Sequence, residues 1–378
     1  GASNTAVGRR SLRNTAAGSS NTAVGADAGL SITTGDNNVA IGFEALEANT
    51  TADNNTAVGF RALEANTTGT SNTAVGNTTL DVNTTGNNNV SVGRNASGSN
   101  TTGSGNTAVG KDALNKNTTA DNNTAVGLSA LQENTTGTGN TGIGYQSAYS
   151  TTTGTENIAL GHQSLRENTT GAKNVAIGYE ALEANTTASD NTAVGYQSGY
   201  SNTTGSPITA IGRKALYSNT TGADNTALGR NSLFYNTTGA DNTSSGNEAM
   251  QANTTGSFNT AYGSDALRAN TTASQNTAMG YQAGNSSATS NNNTFLGYQS
   301  GRDITGNNNT MLGSQAGQLI TSGTKNTIIG LYNGNQDGLD IRTSSNNIVL
   351  SDGDGNVQLA IHGDGNVSMG DQKTRFTS

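Results

Sequence analysis

Hydrophobic residues occur in this chain as isolated positions that return every 17 residues. Each 17-residue unit ends in a glycine that follows a short segment of the type Asn-Thr-Ala-Val. Twenty such glycines follow in phase: Gly8, Gly25, Gly42, Gly59, Gly76, Gly93, Gly110, Gly127, Gly144, Gly161, Gly178, Gly195, Gly212, Gly229, Gly246, Gly263, Gly280, Gly297, Gly313 and Gly330. Only the step to Gly313 is one residue short. A disordered chain has no reason to keep such a phase, so the pattern predicts a regularly stacked repeat structure.

Residues 42–58 are a clean copy of the unit, from Gly42 through Leu46 and Asn55 to Val58. The segment Thr56-Ala57-Val58 contains β-forming residues and is closed by Gly59, so it predicts a short strand. Side chains alternate across a strand, so the threonine and valine should share one face and the alanine the other.

Two columns of apolar residues run through the repeats, and together they predict the core. The Val column precedes each phased glycine, and the Leu column follows it by four residues. Members of the Val column include Val7, Val24, Ile41, Val58, Ile143, Leu160, Ile177, Leu228, Met279 and Leu296; members of the Leu column include Leu12, Leu46, Leu63, Leu114, Leu131, Leu165, Leu182, Leu216, Leu233, Met250 and Leu267. A single copy buries almost nothing, and stacking creates a continuous core. We therefore predict an all-β, parallel β-roll or β-solenoid of about twenty 17-residue coils over residues 1–330, with two apolar segments per coil.

A third column, the Ala column, consists of small residues such as Ala57 between the Thr and Val positions. With the phased glycines it forms a strip that carries almost no side chain. This strip fits the tight interior of a flattened coil, and it equally fits the close approach of several chains along a shared axis. Beyond Ala278 the column becomes bulky, at Phe295, Met311 and Ile328. We expect a change of packing between residues 295 and 313.

The Asn-Thr-Thr-Gly segment of each unit is a turn signal. Its glycine suits a positive φ, as at Gly69, Gly86, Gly137 and Gly239, although alanine replaces it at Ala52. The asparagine before each strand, such as Asn55, should stack on its copies and form hydrogen bonds along the axis. The Asn-Thr-Thr triplets match the acceptor pattern for N-glycosylation, but turn chemistry explains them without a sugar.

Composition narrows the function classes. Hydrophobic residues make up 31% of the 378 residues, aromatic residues 4% and charged residues 12%, with 51 Gly, one Pro and no Trp or Cys. The chain has too few apolar residues for a large globular core, and it has too few charged residues for a typical disordered chain. The net charge of −8 argues against a nucleic-acid partner, and no apolar run is long enough for membrane insertion. The sequence shows no signal peptide and begins in mid-pattern, so we expect a fragment or processed product.

The last part of the chain, residues 331–378, departs from the repeat and predicts a β-hairpin segment. Two apolar runs, 348–350 and 357–361, are separated by Asp-Gly and Gly-Asn pairs. Asp352, Asp354 and Asn356 have the alternate oxygen spacing of a calcium loop, but the glutamate expected at the twelfth position is missing. A plain turn is therefore favoured over a metal site.

No catalytic set stands out, so we expect no enzyme, no catalytic residue and no cofactor. The two histidines, His162 and His362, are remote from any repeated Asp and Ser arrangement. The acidic residues Glu44, Glu47 and Glu64 are scattered and should lie on exposed coil edges. Surface tyrosines followed by Gln or Glu, such as Tyr145, could stack on sugars or on one another; their fixed phase favours the second.

The repeats resemble those of a known family. Asn38-Val39-Ala40-Ile41-Gly42 and Asn174-Val175-Ala176-Ile177-Gly178 resemble the head repeats of trimeric autotransporter adhesins, and residues 191–197 resemble repeats in the tail fibres of tailed bacteriophages. The resemblance covers residues 1–330, although the family's coil is usually shorter. It implies a left-handed parallel β-roll with three chains around one axis. Residues 346–370 resemble the segment that precedes an endosialidase-type intramolecular chaperone, which trimerises a phage fibre and then cuts itself off.

The resemblance implies a homotrimeric tail-fibre shaft, structural or adhesive, that is extracellular on the virion and supports attachment to a host-surface glycan or protein. The alternative is a trimeric autotransporter-type adhesin or extracellular filament on a bacterial surface. Less favoured are an ice-binding solenoid, based on regular threonine pairs such as Thr50-Thr51, and a glycan-degrading tailspike, which would need paired carboxylates.

Overall fold

The computed structural model describes residues 1–370, and within that range the chain contains β-strands, turns and bends without a helix. None of the described segments is therefore a helix that could cross a membrane. The chain divides into two units, one spanning Gly1–Asn191 and one beginning at Thr192. Each unit is a parallel β-solenoid, so the predicted fold class is confirmed in both.

The first unit stacks one three-residue strand per coil. Its strands are β1 (Thr5–Val7), β2 (Thr22–Val24), β3 (Val39–Ile41), β4 (Thr56–Val58), β5 (Thr73–Val75), β6 (Val90–Val92), β7 (Thr107–Val109), β8 (Thr124–Val126), β9 (Thr141–Ile143), β10 (Ile158–Leu160) and β11 (Val175–Ile177). Neighbouring strands pair in parallel with equivalent residues side by side, for example Ala57 with Ala74. The 17-residue period is thus the length of one full coil.

The second unit continues the pattern and then changes direction. Its strands are β12 (Thr192–Val194), β13 (Ile208–Ile211), β14 (Asn225–Leu228), β15 (Thr243–Ser245), β16 (Thr260–Tyr262), β17 (Thr277–Met279), β18 (Thr294–Leu296), β19 (Thr310–Leu312), β20 (Thr327–Ile329), β21 (Asn335–Gln336), β22 (Leu339–Asp340), β23 (Ile348–Ser351), β24 (Val357–Ile361) and β25 (Val367–Met369). Strand β24 pairs antiparallel with β23, which confirms the predicted hairpin. It also pairs antiparallel with β25, which adds a third strand.

The boundary predicted at residue 330 falls inside the sheet. Strand β23 pairs in parallel with β20, so that Thr327 lies beside Ile348. This coil is longer than the others because it contains the small antiparallel hairpin of β21 and β22. The final part of the predicted hairpin segment, residues 371–378, lies outside the described residues.

The predicted core of Val and Leu columns is half wrong. The Leu column is buried, with Leu46 and Leu63 at 0% exposure, but its partner in the interior is the Ala column, with Ala57 also at 0%. The Val column points outward with the Thr column, because alternate strand residues face opposite sides. The coil interior holds the small strand residue, the leucine and the small residue before the leucine, such as Ala45. The Ala column therefore lines the inside of each coil, as the first of the two alternatives predicted.

Only one of the two predicted apolar segments of each coil is a strand. The leucine lies in a turn, and its backbone adopts the left-handed region, with φ of +55° at Leu46 and +57° at Leu63. Leucine seldom adopts this conformation, because the Cβ crowds the following carbonyl oxygen. Here the turn directs the side chain into the coil, and burial of the leucine in the interior offsets the backbone cost.

The phased glycines are required by backbone geometry. Gly59 has a φ of +139°, and a Cβ at this position would lie 2.1 Å from the carbonyl oxygen of Gly76 in the next coil. The turn glycines differ: Gly69, Gly86, Gly137 and Gly239 do not have a positive φ, so that prediction is wrong. Their ordinary φ explains why Ala52 can occupy the same place.

The predicted change of packing near residue 295 is confirmed as an exchange of volume. Phe295 in the Ala column is buried, and both neighbouring Leu-column positions are glycines, Gly284 and Gly301. A Cβ at Gly284 or Gly301 would lie 2.5 or 2.3 Å from the phenylalanine ring. The ring therefore takes the space of the leucines. The one-residue deletion before Gly313 is absorbed in the turn, because Thr294 still pairs with Thr310.

Asparagine ladders connect the coils, as predicted for the residue before the strand. The backbone N–H of Asn72 donates to Oδ1 of Asn55 at 2.9 Å, and Nδ2 of Asn55 donates to the carbonyl of Gly69 at 2.9 Å. A second ladder uses the asparagine of the Asn-Thr-Thr triplet: Nδ2 of Asn66 donates to Oδ1 of Asn49 at 3.0 Å. Both triplet asparagines are fully buried, so their amides are inaccessible to glycosylation.

A third ladder was not predicted. In most coils the residue two positions before the strand asparagine carries a short oxygen-bearing side chain, which can accept the backbone N–H of the preceding coil; Ala172, Ala223 and Ala240 are exceptions. The N–H of Asp36 donates to Oδ1 of Asp53 at 2.7 Å, and that of Thr70 to Oδ1 of Asn87 at 2.8 Å. The sequence signal was present as a column of Asp, Asn, Ser and Thr at this position.

Candidate functional site: the outward face of the strands

The strands present their larger apolar residues outward. In the Val column Ile41 is 39% exposed, Leu160 is 41% exposed and Ile329 is 42% exposed, while Val58 is half-buried. The column extends through the coils of each unit and is interrupted in the second unit at Ser245. Contiguous exposed apolar surface of this kind marks an interaction site in soluble proteins.

The residue directly after each phased glycine widens this face. Several members of this position are aromatic and stack between successive coils: Phe43 on Phe60 with ring centroids 5.6 Å apart, and Tyr281 on Tyr298 at 5.5 Å. His162 lies between Tyr145 and Tyr179, at 5.1 and 4.9 Å. The ring faces therefore contact one another, as the fixed phase predicted.

The other repeat positions that the sequence analysis named are structural residues of the coil. Leu46 and Asn55 are fully buried, in the interior and in a ladder respectively. The phased glycines share a strongly positive φ, at Gly42, Gly59, Gly76, Gly178 and Gly195. These residues build the coil, and the outward face was missed because valine was assigned to the core.

The expectation that Glu44, Glu47 and Glu64 are scattered is wrong. Their carboxylate oxygens lie within 4.8 Å of one another, since adjacent coils bring the columns together, and all three residues are half-buried. Glu44 pairs with Arg61 at 2.7 Å. Burial raises the pKa of Glu47, and the neighbouring carboxylates of Glu44 and Glu64 raise it further. The cluster is a partly compensated acidic corner of the coil.

The candidate calcium loop is organised by its own hydrogen bonds. Oδ1 of Asp352 accepts the backbone N–H groups of Asp354 and Asn356, at 3.0 and 2.9 Å. Its Oδ2 accepts the side-chain amides of Asn356 and Gln358, both at 3.1 Å. These bonds hold the pKa of Asp352 below its usual range. The first aspartate thus uses both oxygens to shape the hairpin turn.

The C-terminal hairpin brings His362 and Ser368 together, with Nε2 and Oγ 3.0 Å apart. They line an open cavity of about 400 Å³ with Asp337 and Met369. A hydrolytic triad would also need a carboxylate on the other ring nitrogen. The nearby carboxylate of Asp364 instead accepts hydrogen bonds from the backbone N–H and the side-chain amide of Asn366, at 3.0 and 2.7 Å. The pair links two antiparallel strands.

The threonine pairs of the turns do not form a flat two-column array. Oγ1 of Thr50 donates to the carbonyl of Thr67 at 3.2 Å, so the inner column serves the coil-to-coil contacts. The outer column, with Thr51 and Thr68, is exposed in single file. A lattice match of the kind considered for ice needs two regular dimensions, which this edge lacks.

Comparisons with protein families, with curated proteins and with solved structures give no match. The fold and the outward face therefore define the class directly: this is a β-solenoid repeat protein with a long apolar face on the outside of its strands.

Proposed function

We propose that this protein is a structural fibre shaft that associates with further copies of itself through the outward face of the strands. The observation that carries the proposal is the exposed Val column, because residues such as Ile143 and Leu160 stay 37% and 41% exposed in a single chain. Apolar side chains gain free energy when a partner surface removes them from water. A repeat protein offers this gain in every coil.

A second copy of the same chain is the partner that fits the face best. Two identical columns aligned in the same direction place an apolar residue of one chain against an apolar residue of the other at every coil. The resemblance to adhesin heads and phage tail fibres supports three chains around one axis, a homotrimer. On this basis the shaft is extracellular, on a virion tail or alternatively on a bacterial surface, and it supports attachment to a host. It has no enzymatic role in this proposal.

The solution mass of the full chain tests the proposal, and light scattering after size exclusion should give three times the chain mass of 38.1 kDa. The double variant Ile143→Lys/Leu160→Lys places charges on the outward face and should give the mass of one chain with an unchanged circular-dichroism spectrum. The matched control Thr153→Lys/Thr170→Lys places the same charges on exposed turn residues of nearby coils and should stay trimeric. A folded wild-type monomer would overturn the proposal.

A further inference from the structure

We propose that one corner of the second unit binds an acidic saccharide, with the sugar ring on the face of Tyr235 and its carboxylate at the ammonium of Lys214. Tyr235 lies in the turn two residues after Leu233, and Lys214 lies two residues before Leu216 in the preceding coil. The inference rests on the proposed function in one respect: a shaft that supports attachment has a surface ligand to recognise.

The corner begins with an exceptional run of aromatic residues. The residue directly after the Leu column is acidic in several early coils, as at Glu47, but in the second unit it is aromatic in three successive coils, Tyr200, Tyr217 and Phe234. Their rings stack with centroids 5.1 and 5.0 Å apart and planes within 8° of parallel. The faces of these rings are largely occupied by one another.

Tyr235 is the ring that remains free for a ligand. It is turned 77° to Phe234 at a centroid distance of 4.6 Å, so it stands outside the stack, and it is 52% exposed. An aromatic face carries partial negative charge, and it attracts the slightly positive C–H groups on the apolar face of a pyranose ring. The edge contact with Phe234 also restricts the orientation of the tyrosine, which lowers the entropy lost on binding.

Lys214 supplies a positive charge on the aromatic stack that Tyr235 contacts. Its Nζ lies 5.0 Å from the Tyr217 centroid and 5.9 Å from the Phe234 centroid, so ammonium and tyrosine flank the same phenylalanine. No carboxylate among residues 1–370 lies within ion-pair distance of Lys214, whereas Arg230 nearby is paired with Glu248 at 2.7 Å. In a chain of net charge −8, an unpaired cation on an aromatic surface favours an anionic ligand.

A single cation next to a single free ring face suits a sugar that carries a carboxylate. A nucleic acid would need several clustered cations for its phosphates. The positions equivalent to Lys214 in the adjacent coils are neutral, Gln197 and Asn231, so this column adds no further charge to the corner. The chemistry thus selects uronic or other carboxylated sugars over neutral ones.

Titration calorimetry of the full chain with an oligogalacturonate, and with its methyl ester as the neutral probe, tests the inference. We expect the acid to bind more tightly than the ester, and added salt to reduce only the binding of the acid. Lys214→Gln should lower the affinity for the acid at least about tenfold, as expected for a lost charge-assisted contact, and remove the preference over the ester. Tyr235→Ser should abolish binding of both probes.

The controls change the same chemistry elsewhere. Lys173→Gln removes one positive charge, and Phe258→Ser removes an aromatic ring that is 61% exposed; both should bind as the wild type does. No binding, equal binding of acid and ester, or unchanged binding by Tyr235→Ser would each overturn the inference. The mass of the wild type and of every variant is measured in parallel, so that a trimeric wild type that binds no saccharide refutes this site alone, whereas a monomeric wild type refutes the proposed function.

Discussion

The regular coils of residues 42–127 and the later coils of residues 295–350 solve the same packing problem with different residues. The regular coils fill their interior with alanine and leucine, and they line the turn with a buried asparagine ladder. The later coils use Phe295 and Met311 opposite glycines, and Ile304 and Ile320 replace the turn asparagines. The glycine column, the strand pairing and the ladder of the asparagines before the strands, as between Asn309 and Asn326, are common to both. The backbone path is thus the constant of this fold, and the interior can change if its volume is conserved.

The largest loss should follow from a change in the common element. Gly59→Ala forces alanine into a φ of +139° and brings a Cβ against the next coil's backbone. Left-handed strain and overpacking together predict a loss of about 5 kcal/mol in the free energy of unfolding. The midpoint of urea unfolding measures it. Gly353→Ala is the control, because its φ is ordinary and no atom lies within 4 Å of the place that the added methyl group would take, so its midpoint should not change.

Replacing the interior residues around Phe295 should give this later region the alanine and leucine packing of the regular coils. Phe295→Ala leaves a cavity and should cost about 4 kcal/mol. Adding Gly284→Leu and Gly301→Leu should restore much of this loss, because these glycines have φ of +60° and +57°, close to the +55° of Leu46. Gly284→Leu or Gly301→Leu in a chain that keeps Phe295 should lower the free energy of unfolding, since the leucine clashes with the phenylalanine ring. Additive losses in the triple variant would contradict the exchange of volume.

The asparagine ladder of the regular coils should be sensitive to the loss of one donor. Nδ2 of Asn100 donates to Oδ1 of Asn83 at 2.9 Å and to the carbonyl of Gly103 at 3.0 Å. Asn100→Asp places a buried carboxylate against these acceptors and should cost about 3 kcal/mol at neutral pH. Part of the loss should return as the pH falls and the carboxyl gains a proton. A pH-independent loss would argue against this explanation.

A break in the same ladder should be repairable. Thr151 replaces the asparagine of its coil, and Oδ1 of Asn134 in the preceding coil has no donor. Thr151→Asn supplies that donor and should add about 1 kcal/mol to the free energy of unfolding. The control is Thr153→Asn at an exposed position of the same turn, where urea unfolding should be unchanged.

The smallest effect concerns the acidic corner of the regular coils. Burial raises the pKa of both Glu47 and Glu64 above the ordinary value of 4.5. The folded state therefore holds these protons more tightly than the unfolded state, and stability should rise as the pH falls from neutrality toward 4.5. The variant Glu47→Gln/Glu64→Gln should be more stable at neutral pH and should lose this slope in urea unfolding. An unchanged slope would assign the pH dependence to other groups.

The 17-residue period of the glycine column that contains Gly59, together with the composition of strand β4, was sufficient to predict parallel coils. Identical units in a strict repeat pack on one another in the same orientation. The period and the composition could not show which strand face is inside. Valine is more apolar than alanine, so it was assigned to the core, but opposite a leucine the interior admits only the smaller side chain. The left-handed backbone of Leu63 was unpredictable, since leucine disfavours it outside this turn.

The candidate site could not be predicted for the same reason, because its position depends on which strand face is inside. Once Ala57 is known to be inside, the alternation of the strand requires Val58 to be outside, and the apolar face follows. The proximity of Glu44 and Glu64 depends on how neighbouring columns approach at a corner, which spacing along the chain does not show. The orientation of Tyr235 depends on its edge contact with Phe234, and adjacent aromatic letters in the sequence carry no angle.

The turns absorb changes of length that the strands do not. Successive strands keep their pairing across separations of 16, 17 and 21 residues. Insertions and deletions at a corner are therefore neutral for the fold, and whole coils can be gained or lost by recombination between nearly identical segments of the gene. Such a chain can vary its number of coils, and the loops at its corners, faster than a globular protein can vary its core.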